Sequence, residues 1–245
     1  MRSVCFFMVY HDRPQITKMA VDHMADVIDL FRDNGCDAVG IVIGDSKVIE
    51  RFALSRGLLH EQHPNDPVSG KMTYAWMLAA QEDKEYICWM GSNNIHSDGY
   101  WELVMEKLRG KKIATFGSRN CVIMSADKEV QRTCHFRPRD HYLISSGQFF
   151  LTYSFKNAVN ILTVYDLDQQ FNFDGKVLDK MTDTWGKGII EYVEFDEEDC
   201  LDIKGSVNIH SYDSYIKIYP EYLPSKQIVP RFPRLMMLME GFYDG

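Results

Sequence analysis

Polar and charged residues follow directly after three apolar stretches of this 245-residue sequence. The three polar groups are Tyr10-His11-Asp12-Arg13-Pro14, Asp45 and Gly91-Ser92-Asn93-Asn94. Carboxylates, a guanidinium and amides can bind a charged ligand through ion pairs and hydrogen bonds, provided that folding brings them together. The elements around them must therefore place all three groups at one edge of the fold if they are to form a site.

The spacing of apolar residues predicts alternating strands and helices around these groups. Residues 4–10 form a short apolar run typical of a buried strand, and residues 16–31 carry apolar side chains at helical spacing up to the Asn34-Gly35 stop. A second strand over residues 38–43 and a second helix over residues 48–57, capped by Asp45 or Ser46, repeat the pattern. Such alternation predicts an α/β fold with a mainly parallel sheet, helices on both faces, and ligands at the carboxyl ends of the strands.

Further elements are predicted along the rest of the chain. We expect strands over residues 58–62, 86–90, 113–116, 120–124, 148–153 and 188–195, and helices over residues 70–80, 101–108, 156–162 and 175–185. No Pro- or Gly-rich linker divides the sequence, which favours a single domain of residues 1–245. The proline-rich segment of residues 219–245 is expected to be a tail that docks on the rest of the protein. Trp76, Trp89 and Trp101 lie at core positions of their elements.

Composition narrows the classes of function. An apolar share of 45% and a charged share of 25% are those of a folded globular protein. The net charge of -8 argues against nonspecific wrapping of nucleic acid, although a local basic groove stays open. The longest apolar run is far shorter than the roughly 18 residues that span a bilayer, so no membrane partner is expected. The six cysteines form no CxxC pair and are expected to be reduced thiols of a cytoplasmic protein.

Several well-known motifs are missing from the sequence. It has no GxGxxG after the first strand, no GxxxxGK[ST] and no GxSxG, so dehydrogenase, P-loop and hydrolase functions lack their defining residues. His60-Glu61-Gln62-His63 is one residue short of HExxH and is followed by Pro64, which disfavours a metalloprotease helix.

The order of the motifs that are present resembles the GT-A glycosyltransferases, particularly the compact inverting-type enzymes of bacteria and bacteriophages. The likeness rests on Asp12-Arg13-Pro14 after the first strand, Asp45 after the second, Gly70-Lys71 at a helix start, and the strand that ends at Gly91-Ser92-Asn93-Asn94. It continues more weakly through Ser146-Gly147, Asn172-Phe173-Asp174-Gly175 and Asn208-Ile209-His210. The resemblance makes residues 1–117 the nucleotide-sugar half of the domain and residues 118–218 the acceptor half.

The resemblance also implies roles for individual residues. Those expected to contact the nucleotide-sugar donor, most simply a UDP-sugar, are Tyr10, Asp12, Arg13, Asp45, Lys71 and Ser92. Those expected near a Mn²⁺ or Mg²⁺ ion on the donor diphosphate are Asn93, Asn94 and His210. Negative charge builds on the departing diphosphate, and a metal, Lys71 or Arg119 would meet it. The acceptor hydroxyl needs a general base, for which Asp174 is the first candidate and His141 the second.

The sequence departs from the family where the metal should bind. The family has acidic residues at the loop that holds Gly91-Ser92-Asn93-Asn94 here, and carboxylates bind Mg²⁺ far better than neutral amides do. A metal-weak natural variant, a catalytically silent protein and a deliberate Asp-to-Asn pair all account for this. Structural alternatives also exist: Asp174-Gly175 is a common turn, His210 suits a sheet, Arg13 suits a surface ion pair, and Asp98 suits a helix cap.

The leading hypothesis is therefore transfer of a sugar from a nucleoside diphosphate to an acceptor hydroxyl. A nucleotide-sugar or carbohydrate-binding protein without activity is the main alternative, and a nucleotidyltransferase is a third. Hydroxymethylated bases of phage DNA are the acceptor that we favour, in which case the protein would act in the cytoplasm of the infected host. The basic residues that could border duplex DNA are Lys107, Arg109, Lys111, Lys112, Arg132, Arg137, Arg139, Lys226, Arg231 and Arg234.

Overall fold

A computed structural model describes most of the first half of the chain and parts of the second. The described residues are 2–65, 68–108, 113–116, 119–125, 127–136, 148–151, 183, 186, 190–193, 200–205 and 225–245. In this part of the chain, strands form one sheet of seven and one of four. The strands are β1 (Ser3–Val9), β2 (Asp37–Gly44), β3 (Leu59–Gln62), β4 (Tyr86–Gly91), β5 (Asn94–His96), β6 (Ile113–Phe116), β7 (Arg119–Met124), β8 (Val130–Phe136), β9 (Gln148–Leu151), β10 (Ile190–Val193) and β11 (Cys200–Lys204).

The larger sheet has the order β10-β6-β9-β4-β1-β2-β3. Its strands β4, β1, β2 and β3 are all parallel, as the alternating pattern predicts. Strand β9 runs antiparallel to both β4 and β6, and β10 is parallel to β6. The smaller sheet has the order β5-β11-β7-β8, in which β5 and β11 are antiparallel. The fold is thus the mixed, mainly parallel α/β architecture that the sequence predicts.

The helices begin and end where the local sequence directs. They are α1 (Pro14–Asp33), α2 (Lys47–Ser55), α3 (Val68–Gln81), α4 (Asp98–Lys107), α5 (Ser225–Ile228) and α6 (Pro233–Met239), with a 3₁₀ turn at Val229–Arg231 between the last two. Pro14 occupies the first turn of α1, and Gly35 follows the helix with a φ of 78°, in the left-handed region. Ser46 caps α2 and Ser97 caps α4. Asp98, the cap that the sequence suggested, is the first residue of α4, so that suggestion was wrong.

Helices cover both faces of the parallel strands, and the alternation of side chains along β1 shows how. Phe6 packs against α1 and α4, with its ring 5.1 Å from Phe31 and 5.9 Å from Trp101. Phe7 points to the opposite face, where its ring lies 4.6 Å from Trp76 of α3. Trp76, Trp89 and Trp101 are all buried, which confirms them as core residues.

The last described segment packs on α1 through a group of charged residues that we call the C-terminal clamp: Asp22, Asp26, Arg56, Arg234 and Tyr243. Arg234 Nε donates to Asp26 over 2.7 Å and pairs with Asp22 as well, while Arg56 Nε lies 2.6 Å from Asp22. The Tyr243 hydroxyl donates to Asp22 over 2.9 Å. Arg234 therefore neutralises carboxylates of α1 and does not belong to the basic border suggested for DNA.

Some elements escape the sequence patterns. Strands β5, β8 and β11 are absent from the predicted set. Residues 152–153, 188–189 and 194–195, which belong to two of the predicted strands, lie outside the described residues. The helices expected near residues 156–162 and 175–185 lie outside the described residues, apart from Asp183. Among the residues with described positions, no helix has the length and apolar character needed to cross a bilayer.

Candidate functional site

The three polar groups singled out in the sequence meet at one edge of the larger sheet. Val9, the last residue of β1, pairs with Ile43 of β2 on one side and with Gly91 of β4 on the other. The chain leaves all three parallel strands at the same level, so the loops that follow them are neighbours. We call residues 10–13, 44–46 and 91–94 the strand-end site. Asp174, His141 and His210 lie outside the described residues, and their roles stay predictions.

Arg13 joins the loop after β1 to the loop after β4. Its Nη2 atom donates a hydrogen bond of 2.9 Å to Ser92 Oγ. Burial lowers the pKa of the guanidinium, and the nearby Asp202 carboxylate acts to raise it. An arginine side chain keeps its charge in proteins. The structure therefore brings together two predicted donor-binding residues, with a fixed positive charge between two loops.

Asp12 and Asp45 are exposed on either side of this region. Asp12 has a φ of 46°, a backbone conformation that few residues other than glycine adopt and that aspartate tolerates better than most. Such strain is found preferentially at functional sites. Both carboxylates can accept hydrogen bonds from a ligand, which fits the contact with a nucleotide that the sequence predicts for them.

Lys71, on α3, hydrogen-bonds to the backbone of the loop after β1. It is completely buried on α3, and its Nζ donates a hydrogen bond of 2.8 Å to the carbonyl oxygen of Tyr10. Burial lowers the pKa of this ammonium to about 8, while Asp45 acts to raise it. In this arrangement Lys71 holds the backbone that carries Asp12 and Arg13. Its direct contact with a donor phosphate stays a prediction.

Tyr10 packs against the loop after β2 and hydrogen-bonds to it. Its ring is 2% exposed and covers Gly44, where a Cβ atom would overlap the ring. The hydroxyl oxygen accepts a hydrogen bond of 3.0 Å from Ser46 N and lies 3.0 Å from His60 Nε2. Burial is the main reason that the pKa of Tyr10 rises to about 12. The side chain thus shapes the site from inside, and a contact between its ring and a nucleotide would require it to move.

A carboxylate that the sequence analysis missed lies beside the loop after β4. The side-chain amide of Asn93 donates to Asp202 Oδ1 over 2.7 Å and to the carbonyl oxygen of Ile203 over 3.0 Å. Ile203 N in turn donates to the Asn93 carbonyl over 2.9 Å. Lys204 Nζ lies 2.8 Å from Asp202 Oδ2, and both side chains are buried. No motif marks Asp202, because the contact joins residues 109 apart in the chain.

Asn94 contributes an amide with an unusual environment. It is 2% exposed and pairs with Asp202 in the register of β5 and β11. Its Oδ1 occupies the space where a Cβ of residue 91 would lie, so a side chain in place of Gly91 would displace the Asn94 amide. Its Nδ2 has no hydrogen-bond partner among the described residues. A buried donor of this kind is costly unless a ligand supplies an acceptor.

These groups fit a divalent cation poorly. Mn²⁺ and Mg²⁺ prefer several oxygen ligands that include carboxylates, whereas Asn93 turns its N–H donors toward Asp202. Arg13 and Lys204 already surround that carboxylate with positive charge. In the described ranges, no group of three His, Cys, Asp or Glu side chains could hold a metal ion. The pairing of Asn93 and Asn94 with a metal thus stays a prediction that their contacts do not favour.

The fold is shared with solved enzyme structures of very different sequence. A mannosyltransferase from Pyrobaculum calidifontis in complex with GDP-mannose and Mn²⁺ aligns with a TM-score of 0.53 at 11% identity, over 99% of this chain and 75% of that one. Glucosyl-3-phosphoglycerate synthase of M. tuberculosis aligns with a TM-score of 0.51 at 12% identity, over 97% and 79%. The chain has a GT-A-like fold.

A third solved structure with this fold is that of an enzyme with a different activity. It is the 4-diphosphocytidyl-2C-methyl-D-erythritol synthase of Anaerococcus prevotii, with a TM-score of 0.52 at 11% identity, over 96% of this chain and 98% of that one. No protein-family model and no curated relative matches the sequence. Likeness at these identities establishes the fold alone, so the function must be argued from the site.

Proposed function

We propose that the protein is a nucleotide-sugar-dependent glycosyltransferase, which moves a sugar from a nucleoside diphosphate to an acceptor hydroxyl. The observation that carries the proposal is the contact of Arg13 with Ser92. It places a half-buried guanidinium between two strand-end loops of a GT-A-like sheet, which is the edge where ligands of such folds bind. The exposed carboxylates of Asp12 and Asp45 beside it suit the hydroxyls and base of a nucleotide.

The chemistry assigns a task to each group. The bond between the sugar C1 and the diphosphate oxygen breaks, and its electron pair leaves with the diphosphate. A bond forms between C1 and the acceptor oxygen, whose proton passes to a general base. Arg13 would stabilise the charge on the leaving diphosphate. We propose Asp174 as the base, with His141 as the alternative.

The acceptor that we propose to test first is hydroxymethylated duplex DNA. Lys107 and Arg231, two of the basic residues suggested for DNA contact, are exposed in the structure and so support this choice. Binding of duplex DNA through them should weaken steeply with added salt. The buried thiols of Cys5, Cys88 and Cys134 suit a reducing compartment, and we propose the cytoplasm as the place of action.

The test is an incubation of the protein with UDP-, GDP-, CDP- and ADP-linked sugars and hydroxymethylated DNA, followed by mass spectrometry of the acceptor and assay of released nucleoside diphosphate. We expect sugar on the acceptor with one donor, and a large loss of rate in Arg13→Ala. Arg32→Ala is the matched control, since it removes an exposed arginine at the other end of α1.

Other results would redirect the proposal. A donor that shifts the melting temperature but is never consumed, with any acceptor, would favour the binding protein without activity. Release of pyrophosphate from a nucleoside triphosphate would favour the nucleotidyltransferase. The likeness of the fold to that of the Anaerococcus prevotii synthase is the reason to test this alternative. Transfer to a saccharide and not to DNA would leave the activity in place and replace the acceptor.

A further inference from the structure

The loop after β4 lies in a group of charges that replaces the expected acidic motif. We call Arg13, Asn93, Asp202 and Lys204 the Asp202 cluster. Within this cluster one carboxylate faces two cations, since Lys204 pairs with Asp202 and Arg13 is close enough for that carboxylate to raise its pKa. The loop residues Ser92, Asn93 and Asn94 are neutral. Arg13 and Lys204 thus bring guanidinium and ammonium donors to a loop of neutral residues, and donors of this kind suit an anion.

The contacts of Asp202 suit a residue that positions neighbouring donors better than one that ligates a metal ion. Its Oδ1 accepts from the amide of Asn93, and its Oδ2 is 2.8 Å from the ammonium of Lys204. The side chain is 3% exposed. Both oxygens are therefore engaged by donors of the chain itself, and the carboxylate orients those donors.

The surroundings of residue 93 favour an amide over a carboxylate. The Asn93 nitrogen donates to two acceptors, Asp202 Oδ1 and the Ile203 carbonyl. An aspartate here would turn a carboxylate against another carboxylate and a carbonyl oxygen, which costs free energy in a partly buried place. The neutral loop is thus consistent with its surroundings, and an acidic residue at position 93 would not be.

A second observation points independently to a missing acceptor. The Nδ2 atom of Asn94 is buried and has no hydrogen-bond partner within the described ranges. Asn94 sits in the same loop and opposite Asp202 in the β5–β11 pairing. An anionic oxygen would satisfy this donor, whereas a cation would face its N–H groups.

We propose that the Asp202 cluster binds the diphosphate of the donor without a divalent cation, with Arg13 as the anion ligand and Asp202 as the positioning residue. The inference rests on the proposed function and deepens it. The chain's own cations then supply the charge that a divalent metal ion would otherwise provide. A guanidinium is suited to this because its planar donors match phosphate oxygens.

The test is calorimetric titration of the protein with UDP, GDP, CDP and ADP, in excess EDTA and in excess MnCl₂. We expect one of the four nucleotides to bind with dissociation constants that agree within about threefold in the two buffers, a difference well below the tenfold that 1.4 kcal/mol produces. Binding in MnCl₂ alone would overturn this inference and leave the proposed function standing. No binding in either buffer would overturn both.

Variants test the cluster in the same assay. Asn93→Asp should weaken binding in EDTA about tenfold, and MnCl₂ should restore it, because two facing carboxylates create a cation site. Asn34→Asp is the control, since it exchanges an exposed amide at the far end of α1. Unchanged affinity of a folded Asn93→Asp protein in EDTA would contradict the proposal.

Asp202→Asn separates positioning from charge. Removal of the carboxylate makes the cluster more positive, so a pure charge effect would tighten nucleotide binding in EDTA. A positioning role predicts the opposite, about a threefold or greater loss, because Asn93 and Lys204 lose the acceptor that orients them. Tighter binding would overturn the role of Asp202. Should this variant fail to fold, Lys204→Gln tests the cluster in its place: loss of this cation should weaken binding in EDTA about threefold or more, and an unchanged affinity would overturn the role of the cluster.

Discussion

The Asp202 cluster and the C-terminal clamp both hold carboxylates against arginine or lysine side chains, but the cluster also lies beside a buried donor that has no partner in the described part of the chain. In the clamp, Asp22 and Asp26 face Arg56 and Arg234, so two negative charges meet two positive ones. The Tyr243 hydroxyl adds a further hydrogen bond to Asp22. In the Asp202 cluster the carboxylate of Asp202 accepts a hydrogen bond from Asn93 and pairs with Lys204.

The difference separates a structural group from a binding group. Every charge of the clamp has a counter-charge within it, and the clamp attaches the end of the chain to α1, which is a sufficient role for its residues. The Asp202 cluster lies beside the buried amide donor of Asn94, which has no partner in the described part of the chain. A buried donor without an acceptor costs stability unless a ligand supplies one.

The largest expected effect comes from breaking the clamp. Asp22→Ala leaves Arg234 and Tyr243 without the acceptor that they share, and loss of one partner of a buried ion pair costs about 3–5 kcal/mol. We expect the free energy of unfolding in urea to fall by about this amount, with nucleotide affinity unchanged in the folded protein. Asp29→Ala, which removes an exposed carboxylate of the same helix, should cost less than about 0.5 kcal/mol. Equal effects of the two changes would show that the clamp is not structural.

Acid should weaken the link between the two regions. His23 follows the clamp residue Asp22 along α1. Its Nε2 accepts a hydrogen bond of 3.0 Å from His96 N of β5, the strand that begins at Asn94 of the strand-end site. Burial, with a smaller contribution from Arg234, lowers the pKa of His23 to about 3 from an ordinary 6.5. The unfolded chain therefore binds the proton first as the pH falls. The stability that neutral His23 provides is complete above pH 6.5 and is lost as the pH falls toward 3.

The magnitude follows from linkage. Each pH unit below 6.5 should remove about 1.4 kcal/mol through this residue, or about 2 kcal/mol between pH 6.5 and 5. Urea unfolding at these two pH values measures it. Glutamine does not titrate, so the unfolding free energy of His23→Gln should fall by about 2 kcal/mol less than that of the unsubstituted protein between pH 6.5 and 5. Parallel pH profiles of the two proteins would show that His23 does not carry the effect.

Substitution of Arg13 tests whether the Asp202 cluster is a binding group. Arg13→Ala removes the charged contact to Ser92 and should weaken nucleotide binding about tenfold, with a change in unfolding free energy below about 1 kcal/mol. Arg32→Ala should leave affinity unchanged and lower the unfolding free energy by about 1 kcal/mol at most, because its ion pair with Asp29 is exposed and its Nε donates one hydrogen bond to the Ala38 carbonyl. Titration calorimetry and urea unfolding measure the two quantities. If Arg13→Ala lowers stability and leaves affinity alone, Arg13 belongs with the structural group.

The smallest effect is expected at alkaline pH. With its pKa at about 8, Lys71 loses its proton earlier in the folded protein than in the unfolded chain. Its contribution to stability therefore rises between pH 8 and 10.5, while its hydrogen bond to the Tyr10 carbonyl loses its charge. We expect nucleotide affinity to fall about threefold from pH 7 to 9, because uncharged hydrogen bonds are weaker.

Two variants isolate Lys71 in that experiment. Lys71→Met should bind more weakly at both pH values and lose the dependence that this lysine causes. Lys84→Met removes a lysine that pairs with Asp37 at the opposite end of the sheet, and it should keep the full pH dependence. A pH dependence that survives in Lys71→Met would assign the effect to another group.

Much of the strand-end site could be predicted from the sequence because it depends on local patterns. Apolar residues at helical and strand spacing predict β1, α1, β2, α2 and β4, and parallel strands with intervening helices must bring their carboxyl ends to one edge. Arg13 and Ser92 could therefore be expected as neighbours without any knowledge of coordinates. The alternation also correctly predicts that helices cover both faces of the sheet.

Asp202 and the clamp could not be predicted in the same way. The segment of β11 contains Asp202 and Lys204, charged residues that by themselves suit a solvated edge, yet both side chains are buried. Asp22 lies on α1, where a carboxylate would ordinarily face water, and its partner Arg234 is 212 residues away. Their burial is possible because each meets an opposite charge that only the folded chain supplies.

The sequence by itself determined the alternating elements, the mainly parallel sheet and the polar loops at the strand ends, since hydrophobic periodicity is a local property that burial enforces element by element. Only the tertiary structure decided which charges meet. It placed Asp202 against Asn93, and Arg234 against Asp22. A hydrogen bond or an ion pair depends on distances of a few ångströms between residues far apart in the chain, and spacing along the sequence holds no record of those distances.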